Sequence, residues 1–487
     1  MGTLSVSAMQ GNSGYEGGIS SGQTTKNDTY EYEEVVFITG EPKEFIGTVN
    51  IRRREQNDME TVTYVYSLTN GQNNRLNRTV VLDTTVEDNN NQIIRETVLN
   101  NLTETITLDG TRYTVDQNRR VSFSMSTITD VRPAVDYLAG SWSGVKTYGT
   151  NNGQRITVRS TGQLYGYDQH WGNAETQEIR LYIESRNLND AQDSWGGSVD
   201  IKVSSTSMQL LLYVDNPPIA SSIDGGYLQR RENNNVLTYT ARLPEFDAQG
   251  QATDRMLTHN GDSSQESFPN HRYLPIYDLR HIRGHWYEDN VKQLYSLGIY
   301  DDGPQNFIPN QYMTRAEFAK AIVRAGEIKI EEKEPAGRVN PRLQQNQQQE
   351  EKASPYIDVP TNHAYFKYID ALYQNGAMQG YGERFHPDDI ITRAQALTIF
   401  IRILGFESLA PNPGAVTIFV DNDDIPDWAR NSVAVASYIG LARGDDRGRI
   451  NPNDPMTKAE ASAFLNRLIN YMRHDIVRDY RDRVFIY

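Results

Sequence analysis

The sequence predicts a multidomain protein: an all-β N-terminal part built of antiparallel, sandwich-like modules, then an all-α C-terminal part. Three observations carry this. The chain has 487 residues, about three times the ~150 residues of an ordinary domain. Up to about residue 244, apolar and polar residues alternate in short β-branched and aromatic runs, whereas beyond Tyr273 the apolar period lengthens from 2 to 3.6. The second part also repeats itself three times at fixed offsets.

Composition narrows the function. A net charge of −15 argues against gripping a nucleic-acid backbone as the main task and leaves a polyanion only a local site. The absence of cysteine removes disulfides, thiolate zinc sites and thiol nucleophiles together. No apolar run reaches the ~18 residues of a membrane-spanning helix. A 37% hydrophobic share, with 29 Tyr against 14 Phe, suits half-buried, wet strands and hence an exposed surface protein. Val6-Ser7-Ala8 has the small-residue spacing of a secretory cleavage site but follows no basic stretch. Residues 1–29 are therefore expected to be a disordered leader or a residual signal segment.

The first β domain is expected over 30–130. Val35–Ile38, Val62–Tyr66, Val80–Leu82, Thr105–Leu108 and Val121–Phe123 read as strands, and Asn70-Gly71 and Asp109-Gly110 supply turn chemistry. Alternation breaks near Val131–Gly140 and resumes through Glu178–Glu184, Ser198–Val203 and Met208–Val214, which gives a second β domain over 131–244. One large sandwich fits the pattern equally. Tyr165–Trp171 with Glu175 is an aromatic, polar cluster of the kind found in glycan grooves, although a turn with structural aromatics is the favoured reading. Residues 245–272, polar and rich in Gly, Asp and Ser, read as a linker.

The three helical segments superpose as Tyr277–Ala325, Tyr356–Ile403 and Phe419–Leu468. Each opens near an aspartate (Asp278, Asp358, Asp421) and reaches a glycine after a helical stretch (Gly298, Gly376, Gly440). Each then passes through Phe307-Ile308-Pro309, Phe385-His386-Pro387 or Ile450-Asn451-Pro452. Five residues past each proline stand Thr314-Arg315-Ala316-Glu317, Thr392-Arg393-Ala394-Gln395 and Thr457-Lys458-Ala459-Glu460. Repeat boundaries are expected at 273–326, 354–408 and 415–472, with a charged, Gln-rich insertion over 327–353 and a charged tail over 473–487.

Thr-x-x-Glu/Gln before an apolar helical run is a capping box, which by itself requires no ligand. It does not explain a cation at the first helical position in all three copies, because a positive charge there opposes the helix dipole by ~0.3–1 kcal/mol. Amides, a hydroxyl and a guanidinium at one helix start make an anion site, and Arg adds bidentate recognition of carboxylate or phosphate. Pairing with a neighbouring carboxylate is the competing explanation.

These repeats resemble surface-layer homology (SLH) repeats, the wall-anchoring modules of bacterial envelope proteins, over about 277–470. The resemblance implies a three-repeat pseudo-trimer whose inter-repeat grooves hold secondary cell wall polysaccharide, often carrying a pyruvate ketal. On that basis Arg315, Arg393 and Lys458 would grip the acid, with Thr314, Thr392, Thr457, Glu317, Gln395 and Glu460 framing the helix starts. Trp286 and Trp428 would face a sugar ring or, equally, anchor the core. Three departures matter: Ala364 stands where Trp286 and Trp428 stand in the other copies, Gln395 replaces Glu, and Lys458 replaces Arg.

The function expected is that of a wall-anchored surface or surface-layer protein with β modules facing outward. The alternative makes the β region a carbohydrate-binding, adhesive or glycan-acting head on an SLH tether. Expected partners are the wall polysaccharide and further copies of the chain in a surface lattice. No enzyme signature is present and no catalytic residue is named. Asp421–Asp424 and Asp445-Asp446 could hold calcium, but no stretch fits a calcium-binding EF-hand loop, and no metal ligand is assigned.

Overall fold

A computed structural model describes residues 19–20, 28–56, 59–71, 73–89, 91–187, 194–215, 225–266, 270–330, 353–411 and 415–485. Most of the leader expected over 1–29, and residues 331–352 of the Gln-rich insertion, lie outside the described residues.

The N-terminal region is mostly β. Among the described residues fifteen strands form one antiparallel sheet, in which nearly every strand pairs with its sequence neighbours. Alternation does what the period predicts: along Gln154–Gln169, Ile156 and Val158 point inward while Arg159 and Thr161 face solvent. Inward residues from Tyr32 to Leu243 meet in a single core. Phe37 lies 5.2 Å from Tyr239 between ring centres, so early and late strands face each other and the sheet is rolled, as accumulated twist favours.

Two sequence-based expectations need correction. The boundary at 130 falls within paired backbone: Ser122–Val131 bonds to Asp136–Thr150, with Val131 opposite Asp136. One core spans both halves, so the two β domains are one. The linker expected over 245–272 contains the strand Ala252–Glu266, paired with Gly226–Phe246 in a register that sets Thr240 opposite Asn260. Its side chains are mostly exposed, so backbone pairing rather than apolar alternation makes it a strand, and no period-2 signal marks it.

Inside the rolled sheet lies a buried ionic network. Arg78 donates to both carboxylate oxygens of Glu34 at 2.8 Å and to Glu104 at 2.9 Å. Glu104 also accepts from Lys146 at 3.0 Å and from the Tyr148 hydroxyl at 3.1 Å.

The C-terminal region is helical: α1 (Glu288–Ser296), α2 (Arg315–Ala325), α3 (Phe366–Gln374), α4 (Arg393–Leu404), α5 (Asp427–Tyr438), α6 (Lys458–Asn470) and α7 (Ile476–Phe485), with a π-helical turn at Tyr471–Asp475. The second helix of each repeat packs on the first helix of the next: α2 on α3, α4 on α5, and α6 back on α1. The three copies thus close a ring. Each first helix ends at a left-handed glycine, Gly298, Gly376 or Gly440 (φ +71°, +66°, +77°), a conformation that a Cβ penalises.

The two regions share a packed face. The last carbonyls of a helix lack intrahelical partners, and several here are satisfied by the β region. The Trp171 indole donates to Ala325 O (2.9 Å), the Tyr137 hydroxyl to Leu404 O (2.8 Å) and the Ala134 amide to Ile403 O (3.1 Å). Gln169 donates to Met472 O at 2.6 Å. Tyr165, Tyr167, Trp171 and Ala174 belong to the helical core, so the aromatic cluster is a docking face and not a groove. The charged tail expected over 473–487 packs as α7 on this face, with Tyr480 at 4.9 Å from Tyr167.

At this junction Asp136 and Asp168 stand directly opposite each other on paired strands. Burial pushes the Asp136 carboxyl up to about 6, and Asp168 adds to the rise while Lys329 opposes it. An unfolded aspartate titrates near ~3.9, so the folded chain holds the extra proton between about pH 4 and 6, and stability falls as pH rises through that window. Asp136→Asn is expected to raise stability at pH 7.5 by on the order of 1–3 kcal/mol and leave it nearly unchanged at pH 4. Thermal melts at both pH values check this; an equal change at the two would exclude the titration.

Candidate functional site

The three motif helices start together. Thr314, Thr392 and Thr457 each accept from the N3 amide, while Glu317, Gln395 and Glu460 return a bond to the N-cap amide, completing three capping boxes. Just before them, Met313 N donates to Met456 O, Met456 N to Ile391 O and Ile391 N to Met313 O, at 2.9, 3.0 and 3.0 Å. This closed three-membered ring of backbone bonds joins the repeats at a hub.

The motif cations reach across to the next repeat. Arg315, only 3% exposed, donates to Phe385 O and Gln379 O at 3.2 and 2.8 Å and lies over the Phe385 ring at 4.7 Å. Arg393 donates to Ile450 O at 2.7 Å and lies over Phe464 at 4.9 Å. Lys458 closes the circle with Glu317 at 3.0 Å. Burial lowers the pKa of both Arg315 and Arg393, with backbone carbonyls and ring faces taking the place of water.

The first helical amides are occupied as well. Arg315 and Ala316 donate to Asp389 O and Pro387 O, Arg393 and Ala394 to Asp454 O and Pro452 O, and Lys458 and Ala459 to Gln311 O and Pro309 O. The open helix-start anion site expected from the spacing is therefore filled by the Phe/Ile-x-Pro loop of the neighbouring repeat. In copies one and two the cation that the capping box left unexplained staples that loop; in copy three it pairs with a neighbouring carboxylate, Glu317.

Copies two and three hold the loop in a second way. Asp358 accepts the amides of Phe385 and His386, and Asp421 those of Ile450 and Asn451, all at 2.7–2.9 Å. His386 and Asn451 take positive φ (+58°, +50°). In copy one the matching residue is Ile308, whose β-branch disfavours that conformation; Asp278 instead bonds Arg280.

Trp286 and Trp428 are 65% and 54% exposed, which removes the core-anchor reading and leaves two open aromatic faces. Trp286 does not sit beside a motif cation. It lines a groove between α1 and α6 with Asn290, Arg443, Arg467 and Asn470. Arg467 lies nine residues past Lys458, about 13 Å along the helix at ~1.5 Å per residue. Burial lowers the Arg467 pKa, and Arg443 and Arg393 add repulsion, so a bound anion would relieve this corner. Asp475, on the same wall, is paired with Arg478 at 3.0 Å.

The grooves are not equivalent. Three residues past the repeat glycine, where copy three has Arg443, copy one has Asp301 and copy two Gln379. Asp301 pairs with Arg324 at 2.8 Å, cancelling the cation equivalent to Arg467 in the groove that also carries Ala364. Arg402, the third equivalent, is held by Glu407 at 3.2 Å. Trp286, Arg443 and Arg467 thus form the groove best suited to an acidic sugar. The Gly-x-x-Arg offset could have pointed to Arg443, and the repeated arginine to Arg467.

Among the described residues no group of three or more His, Asp or Glu side chains converges as a metal site would require. Asp421 and Asp445, considered for calcium, each accept two backbone amides.

Comparison with known proteins agrees with the repeat geometry. The family described as S-layer homology domain matches residues 279–319, 355–397 and 419–462. The amylopullulanase of Thermoanaerobacterium thermosulfurigenes is 31% identical over 193 residues, 39% of this chain and 9% of that protein. Exoglucanase XynX of Acetivibrio thermocellus is 30% identical over 39% of this chain and 16% of its own length. The surface-layer 125 kDa protein of Lysinibacillus sphaericus is 25% identical over 39% and 15%. This chain spans only 9–16% of these relatives, and the likeness to the enzymes runs through the SLH region alone.

Proposed function

We propose that this chain, which carries three S-layer homology domains over residues 279–462, is a cell-surface protein held non-covalently on the cell wall by secondary cell wall polysaccharide. The polysaccharide sits in the inter-repeat grooves, chiefly the one lined by Trp286, Arg443 and Arg467. The observation that carries the reading is that groove itself: an exposed indole beside two cations, one of them half-buried, suits a sugar ring bearing a carboxylate, such as a pyruvate ketal. The closed ring of repeats supports it by fixing the groove walls on rigid helices. Surface-layer and cell-wall proteins among the relatives support the location. In this reading the rolled β sheet is the outward structural part, as in a surface-layer subunit, and the chain carries out no catalysis.

The test is cosedimentation of the full chain with purified cell walls, before and after chemical removal of the secondary polysaccharide. The full chain is needed because deleting the β region would uncover the Ala325, Ile403 and Leu404 carbonyls. Binding should be lost on stripping. Retention on stripped walls would mean that the repeats contact something else.

A further inference from the structure

The outer face of the rolled sheet carries a concavity that the anchoring function does not use. Five arginines line it, Arg119 and Arg120 from a turn and Arg155, Arg159 and Arg186 from paired strands, with Glu184 as the one carboxylate of the lining. Such a concentration of positive charge stands out in a chain of net charge −15.

The strand register makes the arrangement costly without a counter-anion. Arg155 is directly opposite Arg186 on the neighbouring strand, and like charges facing each other across a sheet destabilise it. Glu184 offsets part of this: it pairs with Arg186 and, at 3.6 Å, with Arg159. Arg119 reaches Asp116 at 3.9 Å. No ion pair is recorded for Arg120 or Arg155 among the described residues.

The floor between the arginines is made of small hydroxyl-bearing side chains, including Ser143, Thr147, Thr157 and Thr161. These hydroxyls supply many hydrogen-bond donors and acceptors, which suits a hydroxyl-rich ligand better than a purely apolar peptide. Arg155 and Arg159 share one strand face, about 13 Å apart at ~3.3 Å per residue, so the cations are spaced for successive charges on an extended polymer. A folded acidic surface would have to enter the hollow to reach the floor; a single glycan chain can lie along it.

We propose that this concavity is a second glycan site, which takes a linear polyanionic glycan by its carboxylate or phosphate groups. It is separate from the SLH grooves in residues and in location. Arg155, Arg159 and Arg186 clamp the charges, the hydroxyl floor meets the sugar ring, and Glu184 restrains affinity by occupying two of the arginines.

The test uses the full chain carrying Trp286→Ala and Arg443→Ala, so that the repeat groove contributes little. Binding is measured by calorimetry to polygalacturonate, to a phosphate-bearing glycan (phosphomannan), and to neutral dextran as control. Binding to at least one polyanion is expected, weakening as salt rises from about 50 to about 200 mM, with none to dextran; the arm that binds identifies carboxylate or phosphate. Arg155→Thr/Arg159→Thr/Arg186→Thr, at outward positions where threonine suits a strand, should lower affinity about tenfold or more. Glu184→Gln should raise it, a gain that misfolding cannot imitate. Absence of polyanion binding, or binding indifferent to both variants, overturns the proposal. So does self-association of the chain that disappears in the triple variant without polyanion binding, which would reassign the face to contact between copies.

Discussion

In the full chain, Trp286→Ala/Arg443→Ala is expected to weaken cosedimentation with polysaccharide-bearing walls by at least about tenfold while leaving the melting temperature unchanged. One hydrogen bond to a charged group is worth ~1.5–3 kcal/mol, and the variant also removes the open aromatic face. Stability should hold because Trp286 is 65% exposed and Arg443 is exposed. Trp428→Ala should cost less, since the equivalent cation Arg402 is held by Glu407 and Gln379 replaces Arg443. Equal losses from the Trp286 and Trp428 variants would contradict the ranking of the grooves. Arg315→Ala is a poor probe of binding by comparison, because its guanidinium staples the Gln379 and Phe385 carbonyls and its loss would loosen the ring.

Arg78→Met is expected to destabilise the β region by about 3–5 kcal/mol, the usual cost of stranding the remaining charges of a buried ionic group. Arg78 and Glu34 are fully buried, and Glu104 is 3% exposed. Burial alone would raise the Glu104 pKa, but Arg78 and Lys146 outweigh it and hold the carboxyl at about 2. An unfolded glutamate titrates near ~4.3, so this stabilisation is complete above that pH and is lost as pH falls toward 2. The wild-type chain should therefore lose stability on acidification across that window, and the variant should lose less there because one of the two lowering charges is gone while Lys146 remains. Urea titrations at pH 7 and pH 3 measure both effects. A loss below about 1 kcal/mol at pH 7 would show that the carboxylates find other partners, contrary to the usual result for a broken buried pair.

The repeat region was largely legible in the sequence because its signals are local. A capping box is four consecutive residues, a left-handed glycine is one, and the offsets repeat three times, so helix starts and stops could be placed without knowing what they pack against. The β strands were legible where burial on one face imposes alternation, as along Gln154–Gln169. They were not legible where pairing alone makes the strand, as in Ala252–Glu266, since backbone hydrogen bonds leave no mark on side-chain identity.

What the sequence by itself determined is the architecture: a β part, then three copies of a capped helix pair, in a chain whose residues suit a wall-associated surface protein. The tertiary structure alone decided which side chains share a site. From the sequence Arg315 reads as an anion ligand, with a neighbouring carboxylate as the competing partner, until the Phe385 loop is seen to fill the helix start, and Trp286 is equally a core anchor or a platform until its ring is found exposed beside Arg443 and Arg467. The β halves became one body, docked on helix ends through Tyr137 and Trp171, by contacts more than a hundred residues apart in the chain. Short-range order is encoded residue by residue, whereas the composition of a site depends on distances that only closure of the ring and rolling of the sheet can set.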